Sequence, residues 1–357
     1  MVNRFGYTTG TYAAAAAKAA LRVLLGGKDL VEIGVTLPKG EKALIPVSFT
    51  EGSGDSVKCC VVKKSVEEAD VTHNLEIFAH VCFREDDQII IDGGEGIGRI
   101  TKMGLHLPVG EAAINPVPRK MICSSMRELT PRGVDVIISA PGGVEAAVST
   151  YNPRLGIIGG ISIIGTTGIM WPKSQDSFKQ TILQQLNFCR ENGVKEIIIT
   201  PGNISEEAML THCGDRIFKE QIVQAGDFLG YTLRRAFGMG FSFSLAGHPG
   251  KLAKVLGGWF QTHHSRSHPA NSYVINFLKD SIGDDILREM KASPTVEGIT
   301  VILLKHQYGG LLTDLAEAIE EKVRKYLMTD LPIPILLFNM NKELIGASRA
   351  GIGWIKR

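Results

Sequence analysis

Phe5-Gly6-Tyr7-Thr8-Thr9-Gly10-Thr11 runs straight into Tyr12-Ala13-Ala14-Ala15-Ala16-Ala17-Lys18. A turn of glycine and hydroxyl residues meets five consecutive alanines. Alanine is the strongest helix former, so the sequence predicts a helix over about 11–25, capped by Thr8, Thr9 or Thr11. Its first turn has two readings. Free backbone N–H groups flanked by hydroxyls would make an anion site. Alternatively, the turn is the capped end of a helix packed on a sheet, its alanines letting another surface come close.

Outward from this stretch, the chain of 357 residues suggests two domains, and a hydrophobic content of 44% is ample for sizeable cores. The 40 glycines gather in short runs such as Gly93-Gly94, Gly142-Gly143 and Gly159-Gly160. Such runs suit turns where backbone approaches a ligand or another chain segment. Basic and acidic residues nearly balance, 39 against 37, and no block of like charge exists. That argues against nucleic acid or an anionic membrane as partner. No segment is apolar for long enough to span a bilayer, and the N-terminus opens on a motif instead of a secretion signal. A cytoplasmic protein is expected. The six cysteines are scattered without a C-x-x-C pair, so reduced thiols are expected, with neither disulfides nor structural zinc.

The first part reads as α+β. Strand-like runs at 31–37, 42–50, 57–63, 75–84 and 88–92 are separated by turn clusters. Asn115-Pro116-Val117-Pro118 leads into a helix over about 119–129, and a strand at 134–140 follows. Near residue 155 the rhythm changes. A buried strand-like run at 155–165 ends in Thr166-Thr167-Gly168. A helix over 174–192 precedes a strand at 196–200 ending in Pro201-Gly202-Asn203. A helix over 221–237 precedes a strand at 241–245 ending in Ala246-Gly247-His248. Strand–helix–strand order implies parallel strands with crossover helices. Helices over 271–280, 295–306 and 313–327 and a strand at 333–339 complete the chain. The expected architecture is an N-terminal α+β domain, residues 1–150, with a mostly antiparallel or mixed sheet. A Rossmann-like α/β domain with parallel strands, residues 151–357, follows it.

Several constellations could carry chemistry. Asp92-Gly93-Gly94-Glu95-Gly96-Ile97-Gly98 formally matches the glycine loop of common S-adenosylmethionine enzymes. That loop must open a helix, and Arg99-Ile100-Thr101 with Gly104, Pro108 and Gly110 will not make one. A dinucleotide fingerprint fails because Arg99 stands where its last glycine belongs. Gly250-Lys251 resembles a Walker A only in those two residues, since Leu252 stands where magnesium needs a hydroxyl. Phosphoryl transfer is therefore rejected. In open α/β sheets ligands bind at the carboxyl ends of the strands. Gly165, Thr166, Thr167, Gly168, Gly202, Asn203, Gly247 and His248 occupy three such ends and are the candidate cofactor-binding residues. Ordinary tight turns are the competing reading. Arg119 offers a fork of donors for carboxylates, or is a solvated arginine beside a structural turn. His263, His264 and His268 crowd together, and each could be an ordinary structural histidine.

The motifs resemble one family in order along nearly the whole chain. They are Gly6-Tyr7-Thr8-Thr9-Gly10-Thr11 with its alanine helix, Asp70-Val71-Thr72-His73, and the run from Thr101-Lys102-Met103-Gly104-Leu105 to Ala113-Ile114-Asn115-Pro116-Val117-Pro118-Arg119. The stretch at 159–168 and His248-Pro249-Gly250-Lys251-Leu252 with Thr262-His263 follow. This set resembles the cobalt-precorrin-5B C1-methyltransferases of oxygen-independent cobalamin biosynthesis. The resemblance implies methyl transfer from S-adenosylmethionine to C-1 of cobalt-precorrin-5B, giving cobalt-precorrin-6A and S-adenosylhomocysteine. It implies S-adenosylmethionine as co-substrate and cobalt only as part of the corrinoid, so no protein metal ligands are expected. Thr8, Thr9, Asp70, Asn115, Arg119 and Lys251 would bind the corrinoid, whose many carboxylates suit basic groups at loop ends. His73 and His263 would be the catalytic candidates, able to deprotonate, shield or axially touch the macrocycle. The first domain would hold the corrinoid and the second the methyl donor. Three departures stand out: Tyr12 replaces a usual cysteine, Glu68-Ala69 replaces an acidic–proline pair, and the run from His264 to Pro269 differs. A second reading, a corrinoid-binding or carrier protein without methyltransferase activity, stays open because no standard S-adenosylmethionine motif is present. Homo-oligomer formation and transient contact with neighbouring pathway enzymes stay open as well.

Overall fold

The computed structural model describes residues 5–27, 30–52, 54–66, 70–105, 107–170 and 175–356. Glu68-Ala69 and the expected helix start at Ser174 lie outside them. The chain forms two compact units, Met1–Ser174 and Gln175–Arg357.

In the first unit, strand β1 (Gly6–Tyr7) leads into helix α1 (Thr9–Leu24), whose cap is Thr8. Every residue of α1 from Thr9 to Leu21 is buried. A helix apolar on all sides must lie inside its domain, and α1 does, packed between a sheet and a second helix. Strands β2 (Glu32–Thr36) and β3 (Lys42–Pro46) pair as a hairpin. Next come β4 (Phe49–Glu51), β5 (Ser56–Val62), β6 (Glu76–Phe83), β7 (Ile89–Gly93) and β8 (Arg99–Ile100). Helix α2 (Pro116–Arg127), β9 (Val134–Ser139), α3 (Gly143–Val148), β10 (Ile157–Ile158) and β11 (Ile169–Met170) complete the unit. Its main sheet has the order β4-β5-β6-β9-β7, antiparallel except where β7 runs parallel to β9. This is the expected mixed sheet. Helix α1 lies on β5 and β6 and against α2, and methyl side chains are what allow three surfaces to approach it. The one charged residue of its buried stretch, Lys18, donates to the Gly34 carbonyl at 2.7 Å and pairs with Glu128.

The second unit begins with α4 (Gln175–Glu191), β12 (Glu196–Thr200), α5 (Asn203–Cys213), β13 (Ile222–Gln224), α6 (Leu229–Gly238) and β14 (Ser242–Gly247). Helices α7 (Pro249–Leu252), α8 (Asn271–Leu278), α9 (Asp284–Ala292), α10 (Val296–Lys305) and α11 (Gly310–Leu327) follow. Strands β15 (Ile335–Phe338) and β16 (Leu344–Ala347) and helix α12 (Arg349–Ile355) end it. Its sheet has the order β13-β12-β14-β15-β16, parallel through the first four strands and antiparallel at β16. No helix among the described residues is long and apolar enough to cross a membrane.

Three expectations need correction. The units divide after residue 174, not near 150. The run at 155–165 is not a parallel strand of the second unit. Ile157–Ile158 pairs antiparallel with Arg99–Ile100, and Ile161 and Ile163 make single bridges to Ile97 and Ile114. Its apolar character reflects burial of Ile161 and Ile163 in the core of the first unit. The span 221–237 is a strand and a helix, β13 and α6, and the sequence reading missed α5 before them.

One glycine in each of three turns shares a cause. A Cβ on Gly96 would stand 1.8 Å from the Ala140 carbonyl oxygen. Cβ atoms on Gly143 and Gly160 would stand 2.2 and 2.1 Å from the carbonyl oxygen of Gly96. The three glycine turns therefore pack backbone to backbone, and what they approach is another chain segment.

Candidate functional site

In the first unit, four motif-bearing segments meet around the start of α1. The Thr8 hydroxyl accepts from the Thr11 backbone N–H at 3.4 Å. The Thr9 hydroxyl accepts from the Ile164 N–H at 2.9 Å, and the Thr11 hydroxyl donates to the Gly168 carbonyl at 2.8 Å. The Thr8 N–H bonds the Gly168 carbonyl and the Gly10 N–H bonds the Ile164 carbonyl, both at 3.0 Å. Most of the first-turn donors are thus taken by residues 164–168 and by the Thr8 cap. Of the two readings of this turn, the structure supports the capped helix over the open anion site. Gly165 has φ 139°, and a Cβ there would strike the Thr8 hydroxyl at 2.2 Å, so this glycine is what lets the segment close on the cap. Thr167 bonds locally with Ile169, whereas the Thr166 side chain is exposed.

Gly165, Thr166, Thr167 and Gly168 therefore belong with Thr8 and Thr9 in the first unit. They do not join Gly202, Asn203, Gly247 and His248 in one series of strand ends, because Thr8–Thr11 holds them by the hydrogen bonds just described.

Asp70 and His73 sit on a neighbouring loop built around Lys63. The Lys63 side chain is 1% exposed and its ammonium lies 2.7 Å from Asp70 Oδ2. Asp70 also accepts from the Ser65 hydroxyl at 2.6 Å and from the Thr72 N–H and hydroxyl at 3.0 and 2.8 Å. Burial opposes the charge on Asp70, but these hydrogen bonds and the Lys63 cation outweigh it and hold the carboxyl well below its usual range. Burial lowers Lys63, with Asp70 acting the other way. His73 Nδ1 accepts from the Ser65 N–H at 3.1 Å, so the neutral ring carries its proton on Nε2. Tyr12 ties this loop to α1: its hydroxyl accepts from the Lys64 N–H at 3.0 Å and approaches the Lys64 carbonyl at 3.3 Å. Burial raises its pKa. At this position the side chain is a structural strut.

Asn115 is the N-cap of α2 and makes no side-chain cap bond, while its backbone N–H bonds the Ile163 carbonyl at 3.0 Å. Arg119 does not stand free. Its Nε and Nη1 donate to the carbonyls of Ile114 at 2.9 Å and Ile91 at 3.0 Å, and its Nη2 reaches Glu111 at 3.1 Å. The guanidinium clamps the loop that presents Asn115.

In the second unit, Gly202, Asn203, Gly247 and His248 do lie together at the carboxyl ends of β12 and β14, as expected. Gly202 is the N-cap of α5, and Asn203 accepts from Gln224, at the end of β13, at 2.7 Å. Gly247 is buried, leaving room for Pro201. His248 Nδ1 accepts from the Gly250 N–H at 3.0 Å, so its Nε2–H is directed to Glu297 at 2.8 Å. Lys251 pairs with Asp227 at 3.0 Å. Asp227 also accepts from the Thr262 N–H, through its carbonyl, at 2.9 Å, and its carboxylate lies 3.3 Å from the Thr262 hydroxyl. His263 Nδ1 is 2.7 Å from the Ser265 hydroxyl. The structure thus brings the His248–Leu252 motif and Thr262-His263 into one network.

That network borders a cavity of about 540 Å³ lined by His248, Lys254, Ser267, Asn271, Glu297 and Met340 among others. Lys254 and Glu297 were missed in the sequence. Lys254 follows Lys251 by three residues, a spacing that signals neighbours on helical turns. Glu297 gave no local signal, since it joins His248 only through the fold. Lys63 was also missed, although the alternation Val57, Cys59, Val61 points the next position inward.

No thiol is poised as a nucleophile among the free cysteines Cys59, Cys60 and Cys189. Burial pushes Cys59 and Cys189 up to about 12 and Cys60 up to about 11. Among the described residues no three His, Cys, Asp or Glu side chains are grouped as a metal site.

The family model CbiD matches residues 2–172, and CbiD, C-terminal domain, matches 261–349. Curated relatives carry the name cobalt-precorrin-5B C(1)-methyltransferase. The protein from Desulfitobacterium hafniense is 37% identical across 95% of this chain and 88% of its own length. That from Thermoanaerobacter sp. is 36% identical across 98% and 97%, and that from Thermus thermophilus 38% across 91% and 88%. A crystal structure of the cobalamin biosynthesis protein (cbiD) from Archaeoglobus fulgidus is 25% identical, with a TM-score of 0.38, covering 69% of this chain and 77% of that one.

Proposed function

The chain belongs to the CbiD family, and from that membership we propose that it is a cobalt-precorrin-5B C(1)-methyltransferase of anaerobic cobalamin biosynthesis. It transfers the methyl group of S-adenosylmethionine to C-1 of cobalt-precorrin-5B, giving cobalt-precorrin-6A and S-adenosylhomocysteine. The observation that carries this reading is identity of 34–38% to curated methyltransferases across more than nine-tenths of the chain. Shared naming as methyltransferases favours the enzyme over the carrier alternative. We place the protein in the cytoplasm, with a corrinoid as its substrate.

The second unit is read as a Rossmann-like support for the methyl donor at the carboxyl edge of β12 and β14. A cavity of about 540 Å³ suits a small-molecule ligand. Its wall offers groups of both polarities: the Lys254 ammonium, the His248 ring and the Glu297 carboxylate. When bound there, the donor would supply an electrophilic methyl. Asn203 would orient it, and His248 would hold Glu297 in place. In the first unit, the exposed Thr166 hydroxyl, the Asn115 amide and His73 are the groups proposed for the corrinoid, with Thr8, Thr9, Asp70 and Arg119 holding their loops in place. The electron-rich macrocycle is its own carbon nucleophile. The protein's work is then positioning and water exclusion, which supply several kcal/mol without a strong base. His73, with Nδ1 fixed by Ser65, presents Nε2–H as a hydrogen-bond donor.

Anaerobic single turnover with cobalt-precorrin-5B tests the proposal. Stoichiometric S-adenosylhomocysteine is expected. Tight corrinoid binding with no S-adenosylhomocysteine formed would restore the carrier reading.

A further inference from the structure

Lys254 is a buried charge with no carboxylate of the described residues in salt-bridge contact. The residue is 9% exposed, and its ammonium donates to the Thr262 carbonyl at 2.7 Å and the Ser267 hydroxyl at 2.9 Å. Both partners are neutral. Asp227, the carboxylate whose field reaches it, is already paired with Lys251 at 3.0 Å. An ammonium has three N–H donors, and two are engaged. Removing such a cation from water is costly unless an anion compensates it, and burial does disfavour its charged form. The cavity that Lys254 lines is a place for that anion.

Another part of the same cavity wall carries the opposite charge. Glu297 is fixed through both oxygens: Oε2 lies 2.8 Å from His248 Nε2, and Oε1 accepts from the Met340 N–H at 3.2 Å. Each oxygen keeps a further acceptor site. Its side chain is 28% exposed, so it borders the cavity without being sealed from it. A pre-oriented carboxylate and a buried ammonium on one small cavity match a ligand that carries both charges.

We propose that Lys254 and Glu297 form a zwitterion clamp, Lys254 taking the α-carboxylate and Glu297 the α-ammonium of an amino-acid ligand. This rests on the methyl-donor reading above, under which the ligand is the methionyl end of S-adenosylmethionine. Recognition of the donor by its amino-acid end also accounts for a chain whose Asp92–Gly98 glycine loop leads into a strand, Arg99–Ile100, and not into a helix. His248 and Ser267 are positioning residues here, orienting Glu297 and Lys254.

Titration calorimetry on the full chain with two probes tests the clamp. S-adenosylhomocysteine carries the zwitterion, and 5′-methylthioadenosine lacks it. Lys254→Met should weaken S-adenosylhomocysteine by about 10- to 150-fold, the weight of one charge-assisted hydrogen bond, and leave 5′-methylthioadenosine unchanged. Lys254→Arg should recover part of the loss. Glu297→Gln should show the same selectivity, and it carries the test alone if Lys254→Met fails to fold. Parent-like S-adenosylhomocysteine affinity in these variants, or equal loss for both probes, would overturn the clamp. A parent protein that binds neither probe would overturn the methyl-donor reading, and the clamp with it.

Discussion

Lys63 and Asp70 show how single residues build this molecule. Asp70 has a folded-state pKa below its unfolded value, so it contributes stability that is fully present above the unfolded carboxylate range. That contribution is lost as pH falls below about 4 toward the folded pKa. Asp70→Asn leaves the Lys63 ammonium buried without a counter-charge. We expect a loss near the low end of ~3–5 kcal/mol at pH 7, because Asp70 retains 20% side-chain exposure. Denaturant titrations should show the gap between parent and variant narrowing below pH 4, and a gap that stays constant would contradict the assignment. His73 on the same loop is expected to tune the reaction without being indispensable. His73→Ala and His263→Ala should each retain methyl transfer, with losses of about tenfold to a thousandfold, since positioning carries most of the rate. Complete loss with folding and both ligand affinities intact would reveal a specific acid–base or axial role. The Asp70–His73 motif was legible in the sequence. The partner beneath it, Lys63, was written only in a strand alternation, and Glu297 only in the tertiary fold.

At the scale of elements, α1 decides the first unit. Its sequence predicted a helix over 11–25, and the helix spans Thr9–Leu24. What the alanines did not reveal is that the helix is enclosed on all sides. Ala15 is fully buried, so Ala15→Leu should overpack the contact and cost about 1–3 kcal/mol or more, read as a lower denaturation midpoint at unchanged slope. Tyr12→Phe should cost about 1–3 kcal/mol by leaving the Lys64 backbone N–H unpaired. It should also speed amide exchange in residues 63–66 and 70–74 while leaving the β12–β14 ladder protected. Uniformly faster exchange would mean that Tyr12 is not a local strut. The elements misread in the sequence share a cause. A three-residue strand such as β13 is too short to show a period. The 155–165 run looks like a strand because of its isoleucines, yet only Ile157, Ile161 and Ile163 are buried, and they lie in single bridges and one two-residue antiparallel pair.

For the whole molecule, the sequence announced a mixed first sheet and parallel strands in the second part, and these are present in two compact units. The boundary was misplaced because the run at 155–170 belongs to the first unit, held there by residues from the opposite end of its chain, Thr8 to Thr11. Four of the residues expected at the second sheet, Gly165, Thr166, Thr167 and Gly168, move with it. Gly202, Asn203, Gly247 and His248 remain at the ends of β12 and β14, and the proposed site there adds Lys254 and Glu297. The proposed reaction is catalytic carbon methylation at one ring position. Labelled S-adenosylmethionine carrying a ¹³C methyl group, incubated anaerobically with the protein and cobalt-precorrin-5B, tests it most directly. One new ¹³C methyl per macrocycle, bonded to C-1, is expected, with an equal amount of S-adenosylhomocysteine. Recovery of an unlabelled macrocycle beside intact donor, or label at any other position, would contradict it.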